Sequence, residues 1–181
     1  MANFEIIKLS PEDWQDYKQI RLEALLNAPQ AFSSTYAESL TRPDSHWQER
    51  LREAALGETS WMLFARADGQ LVGLTGAFRE EEKDGAVAHI ISVYVCEAYR
   101  GQGVASALMR AILAAVSRRG DIRKARLGVN PVQAAALKMY QNFGFQTIHT
   151  VTAAMGDGKI YQELIMEKDL QHGQTGLEKD A

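Results

Sequence analysis

Between residues 86 and 118 the chain passes from a β-branched apolar run (86–96) through Arg100-Gly101-Gln102-Gly103-Val104-Ala105 into a helical period. That period is Val104, Leu108, Ile112 and Val116, with Ala111 and Ala115 beside it. The run reads as a largely buried strand, and the period as a helix packed closely on a sheet. A buried strand joined by a glycine turn to such a helix commits the chain to an α/β layer arrangement. It also builds an anion site: the first N–H groups of a helix have no internal acceptor, and the helix dipole places partial positive charge there. Gly101 and Gly103 let the backbone approach a phosphate with no Cβ in the way, Ala105 keeps the first turn narrow, and Arg100 adds charge. The expected ligand is a pyrophosphate. The dinucleotide fingerprint G-x-G-x-x-G fails, since Ser106 stands at its third position and the turn lies late in the chain; G-x-x-x-x-G-K-[ST] is absent. Taken alone, the hexapeptide stays open to a plainer reading, a glycine turn that merely starts a helix.

Around this centre the pattern predicts a strand at 4–9 and a helix from Ser10-Pro11-Glu12-Asp13 to about Asn27, ended by Pro29. A second helix, capped by Asp44 or Ser45, runs to Gly57. Strands at 61–66 and 71–78 flank an Asp-Gly hairpin signal, and 80–85 reads as a charged connection. After the long helix come a strand at 124–129 and a helix from about Pro131 to Phe143, closed by Gly144. A last pair of strands, 146–154 and 159–169, surrounds Gly156-Asp157-Gly158. The order is β-α-α-β-β-β-α-β-α-β-β, one domain over 1–170 followed by a polar tail over 171–181 that is expected to fray.

Charge removes several function classes. The formal net charge is -3 with a sequence pI of about 5.8, and the small basic cluster Arg118, Arg119, Arg123, Lys124 and Arg126 is too local for a duplex. No nucleic-acid partner is expected. The opening MANFEIIKLS lacks the basic-then-apolar build of a signal peptide, and no apolar run has bilayer length, so the expectation is a cytoplasmic protein with no membrane partner. One cysteine, Cys96, excludes a disulfide framework. His46, His89, His149 and His172 show no metal-ligand spacing, and no metal is expected.

The hexapeptide fits R/Q-x-x-G-x-G/A, and its neighbours make the fit specific. Val93-Tyr94-Val95 precedes it. Leu127-Gly128-Val129-Asn130-Pro131, Ala136-Leu137-Lys138-Met139-Tyr140 and Asn142-Phe143-Gly144-Phe145 follow it. Together with Tyr161-Gln162-Glu163-Leu164-Ile165-Met166-Glu167-Lys168, and with Arg21-Leu22-Glu23-Ala24-Leu25, Pro29-Gln30-Ala31-Phe32 and Trp47 upstream, the chain resembles the GNAT superfamily of acyl-CoA-dependent N-acetyltransferases from residue 4 to 169. The resemblance implies a mixed, mostly antiparallel sheet of about seven strands with helices on both faces, splayed so that coenzyme pairs with its central strand. It implies acetyl-CoA as co-substrate, bound by Val93, Tyr94, Val95, Arg100, Gly101, Gln102, Gly103, Val104, Ala105 and Tyr140. Gln133 lies where members commonly carry asparagine, and Asn130 nearby is a second candidate for that amide contact. Many members form homodimers, which the resemblance allows here.

Acetyl transfer to an amine needs a neutral nucleophile, and an amine of pKa near 10.4 is neutral in only about one molecule in a few thousand at pH 7. A base and a proton donor are therefore sought. Tyr140 matches the family tyrosine that protonates the departing thiolate; the plainer reading is a tyrosine on an apolar helix face with Leu137 and Phe143. His89 stands where the family often has a glutamate base, and an imidazole accepts protons at pH 7, although a lone histidine in an apolar strand is more often structural. Glu163 on the closing strand is a candidate to bind the incoming cation or take its proton, against a surface carboxylate. Cys96 has no activating base beside it and reads as filler. Phe32, Tyr36 and Trp47 are candidates to line the acceptor pocket, or simply to pin helices to the sheet. The favoured acceptor is a small amine such as a polyamine, an amino acid or an aminoglycoside, in an enclosed acidic pocket. The alternatives are a protein N-terminal or lysine acetyltransferase with an open groove, and a non-catalytic acyl-CoA-binding sensor.

Overall fold

A computed structural model describes residues 3–83 and 85–170. Seven strands form one sheet: β1 (Glu5–Ile7), β2 (Ser60–Ala67), β3 (Gln70–Glu82), β4 (Gly85–Val95), β5 (Ile122–Val129), β6 (Gln146–Ala154) and β7 (Ile160–Asp169). Their order across the sheet is β1-β2-β3-β4-β5-β7-β6. Only β4 and β5 run parallel, and the other neighbours are antiparallel. The helices are α1 (Trp14–Asn27), α2 (Tyr36–Leu40), α3 (Asp44–Leu56), α4 (Val104–Ser117) and α5 (Ala134–Asn142). The expected α/β class and element order hold. The expected tail over 171–181 lies outside the described residues.

Both sheet faces are covered, and the alternation of side chains assigns each residue to one of them. On one face Leu108, Met109, Ile112 and Val116 of α4 close over Leu63, Ala65, Ala88, Ile90 and Ala125. On the other, Ile20 and Leu25 of α1 and Trp47 and Leu51 of α3 pack on Met62, Phe64, Leu74 and Tyr94. Residues as fully buried as Leu108 or Ile112 each contribute about 1.5–3 kcal/mol of apolar transfer. Among the described residues no helix is long and apolar enough to cross a membrane.

Several boundaries differ from expectation for identifiable reasons. The stretch 80–85 is strand rather than connection: Glu80, Glu81 and Glu82 pair with Val87, Ala86 and Gly85. Arg126 binds Glu82 at 2.5 Å and Arg79 binds Glu81, so arginines offset the glutamate charge that made the segment look like a turn. The second long helix starts at Asp44 itself, with Pro43 in the capping position, and ends as predicted at Gly57, which adopts the left-handed φ of 65°. An additional short helix, α2, begins at a capping box in which Thr35 and Glu38 bond reciprocally. Helix α5 starts at Ala134 rather than near Pro131, because the Asn130 side chain accepts from Val132 N–H at 3.1 Å and holds 130–133 in a turn. The Asp-Gly signal holds: Asp68 and Gly69 both have positive φ, as a tight hairpin demands.

Two irregularities of β4 open the sheet. It pairs with β5 only over Ala86 to His89, so Ile90 to Val95 have no β5 partner on that side. Within that free stretch Ser92 takes a φ of 59°, and the register against β3 shifts between Leu74 and Gly76. The bulge adds one residue and re-aims the strand end.

Candidate active site

A cleft of about 950 Å³ runs along the free half of β4 from the glycine turn to the β6–β7 hairpin. Its two ends are built differently.

At one end the walls are largely main chain. Val93, Tyr94 and Val95 present the free strand, and Gly101, Gly103, Val104, Ala105 and Ser106 present the turn and the first residues of α4. Gly101 (φ 72°) and Gly103 (φ 87°) hold left-handed conformations, and Gly103 occupies the N-cap of α4. A Cβ at either would meet nothing within 4 Å, so backbone conformation, not crowding, requires glycine there. Arg100 lies along the same wall, its Nε donating to Val95 O at 3.0 Å. Orphan N–H groups, a helix N-terminus and a free strand edge make an anion cradle continued by a hydrogen-bonding rail.

Midway, Tyr140 of α5 reaches the cleft, its ring edge-on to Phe145 at 6.2 Å. Burial pushes its phenol well above the usual range, so it stays protonated. Glu163 of β7 faces the same space across Gly128 of β5. A Cβ on Gly128 would lie 2.4 Å from Glu163 Oε1, so the missing side chain makes room for this carboxylate. Desolvation raises the Glu163 pKa, and among the described residues no hydrogen bond or ion pair holds its side chain. Glu163 is the sole carboxylate in the lining.

The other end is made of side chains from distant segments. Arg21 of α1, Phe32 after it, Arg42 before α3, His46, Trp47 and Arg50 of α3, and Met155 of the β6–β7 hairpin converge there. Arg21 donates from Nη1 to Ser92 Oγ at 3.1 Å, on the bulge, and its guanidinium lies 4.5 Å from the Phe32 ring centre. Gly156 N–H donates to Phe32 O at 2.7 Å, clasping the hairpin to the 29–34 loop. A Cβ on Gly156 would stand 2.6 Å from Ser34 O, so this clasp needs a glycine.

The structure brings most of the sequence-selected residues to this cleft: Phe32, Trp47, Val93, Tyr94, Val95, Arg100, Gly101, Gly103, Val104, Ala105, Gln133, Tyr140 and Glu163. Four stand outside its lining. His89 stacks on Phe78 at 4.9 Å and sits against the Glu80 carboxylate. Asn130 is buried in its turn, Tyr36 lies in α2, and Gln102 donates to Ala98 O at 2.8 Å. The Cys96 thiol is pushed up to about 12, chiefly by burial, which makes it inert as a nucleophile. The acidic acceptor pocket expected from sequence is instead basic. Arg21, Arg42 and Arg50 were not singled out for it. One signal was present: Arg42, His46 and Arg50 recur every four residues, which puts His46 and Arg50 on one side of α3.

Residues 12–145 match the acetyltransferase (GNAT) family. An uncharacterised N-acetyltransferase of Mycobacterium tuberculosis (strain H37Rv) is 34% identical over 95 residues, which are 52% of this chain and 58% of the relative's own length. Among solved structures, an acetyltransferase of the GNAT family from Streptococcus pneumoniae superposes with a TM-score of 0.80 at 17% identity, over 93% of this chain and 100% of that one. The paia N-acetyltransferase of Thermoplasma acidophilum, solved in complex with coenzyme A, gives 0.72 at 21% identity, over 92% and 99%. At these identities the likeness to the solved structures is one of fold.

Proposed function

The chain belongs to the GNAT family of acetyltransferases, and from that premise we propose that it transfers an acetyl group from acetyl-CoA directly to a primary amine of a small molecule. The observation that carries the reading is the continuity of one cleft past the glycine turn, the free edge of β4, Tyr140 and Glu163. Acetyl-CoA supplies the thioester carbonyl that the amine attacks. The α4 N-terminus with Gly101 and Gly103 binds the pyrophosphate, and the edge of β4 at Val93, Tyr94 and Val95 that has no β5 partner binds the extended arm. The fold shared with a coenzyme A complex agrees with this arrangement.

Two side chains move the protons. Glu163, half-buried and held above the ordinary carboxylate range, takes a proton from the incoming ammonium. Tyr140, kept protonated by burial, gives its proton to the departing thiolate. His89 takes no part in this scheme, since it is engaged by Phe78 and Glu80 outside the cleft. The clasp of Gly156 on Phe32 ties the hairpin to the 29–34 loop beside the acceptor end, which supports a small acceptor over a protein segment.

Titration calorimetry with acetyl-CoA, followed by a thiol-release screen over amines, tests the proposal. Micromolar binding with thiol release on a small amine is the expected result. A protein that does not bind acetyl-CoA sinks it.

A further inference from the structure

The acceptor half carries more positive charge than a site for a simple amine would tolerate. Three arginines face a single carboxylate there, with His46 beside them. An ammonium ion entering such a space meets like charge, while an anion meets complementary charge.

None of these arginines has a carboxylate within ion-pair distance among the described residues, although arginines elsewhere in the fold are so paired. Arg21 is largely removed from water, and among the described residues its only hydrogen-bond partner is a neutral serine hydroxyl. Burial and the nearby Arg50 charge both act against its protonated form. Arg42 and Arg50 also act on His46, adding to the effect of burial in pushing its pKa down. Trp47 Nε1 and Arg50 Nε, on two residues that line this end, are buried with no hydrogen-bond partner among the described residues. Buried donors and charges are ordinarily satisfied, and a cluster that leaves several unsatisfied lacks its acceptor.

We propose that the acceptor is a small primary amine that also bears an oxyanion, of the amino acid class, with Arg21 and Arg50 holding the anion beneath Trp47 while Glu163 holds the amine. Arg42 stands at the exposed rim and draws anions inward. A guanidinium binds a carboxylate or phosphonate through its planar fork, and the Arg21 guanidinium lies over the Phe32 ring, 4.5 Å from its centre. The inference rests on the acetyl-transfer reading only for the fate of the amine. The anion site itself is open to measurement without turnover.

The test titrates CoA-loaded protein calorimetrically with matched pairs: N-acetyl amino acids, the same compounds as neutral amides, and an N-acetylaminoalkylphosphonate. At least one pair should favour the anion by about tenfold or more. Arg50→Met and Arg21→Met should each erase that preference while leaving the acetyl-CoA Kd unchanged. Arg50→Met, on a different helix, keeps the test alive if Arg21→Met does not fold. Equal affinity for acid and amide in every pair overturns the proposal. So does a loss of acetyl-CoA affinity in the arginine variants, which would assign the cluster to coenzyme phosphate. Tighter binding of a peptide with an acidic second residue than of any amino acid derivative overturns the small-molecule part. A protein that shows the anion preference but releases no thiol from any amine keeps the site and loses the transfer reading, so the two failures are distinguishable.

Discussion

The two ends of the cleft are built by different means. The glycine-turn end uses main chain: N–H groups of a helix start, the free edge of β4, and two glycines at positive φ. Its chemistry is the same for any side chains that keep that backbone. The acceptor end uses side chains from α1, the 29–34 loop, α3 and β7, and main chain there serves mainly to clasp the wall. Main-chain recognition suits a co-substrate that never changes, because it depends on conformation alone. Side-chain recognition suits an acceptor that differs between related enzymes, because one substitution alters it without disturbing the fold.

The largest expected effect lies where the two ends meet. Tyr140→Phe should lower kcat by about 100-fold, the scale of a lost general acid, while acetyl-CoA affinity stays within about twofold. Equal losses in binding and turnover would assign Tyr140 to the coenzyme end and blur the division. Glu163→Gln should cost about tenfold or more in kcat/KM at neutral pH. The wild-type acid limb should fall above the ordinary carboxylate value of 4.5, since desolvation raises this group, and the variant should lack that limb. The sign extends to stability. A carboxylate whose folded pKa is raised makes the fold less stable as pH rises from its unfolded value through the folded one, and Glu163→Gln should remove that decline in melts taken across this range.

Gly103→Val should weaken acetyl-CoA binding by about tenfold, because a β-branched residue at φ 87° costs about 1–2 kcal/mol and shifts the turn. The acceptor KM measured at saturating acetyl-CoA should hardly move; a matching rise there would show that the ends are not independent. The smallest effect is at the clasp. Gly156→Ala pushes a Cβ against Ser34 O and Phe32 O, and should lower Tm by about 2–4 °C for each kcal/mol lost while raising the acceptor KM and sparing the acetyl-CoA Kd.

The contrast between the ends also explains what was legible beforehand. The glycine turn at the start of α4 was legible because glycine spacing, helix start and strand lie within a dozen consecutive residues and act through local backbone physics. Tyr140, a candidate through resemblance, and Glu163, a candidate from its place on the closing strand, both line the cleft. His89 was also matched by resemblance to a base position, yet β3 extends far enough to set Phe78 and Glu80 against it, a consequence of strand length that the charged 80–85 stretch concealed. The acidic acceptor pocket was an expectation from amine chemistry alone. It failed because the arginines that decide the charge come from segments separated by tens of residues.

From the sequence alone came the α/β layer order, the hairpin at Asp68-Gly69 and the glycine turn that starts α4, since each depends on hydrophobic period or backbone conformation over short stretches. Only the tertiary structure decided the rest. It parted β4 from β5 beyond His89, bulged the strand at Ser92 to receive Arg21, and brought Arg50, Trp47 and Glu163 around one space. The physical reason is that charge and burial are sums over neighbours in space, whatever their distance along the chain.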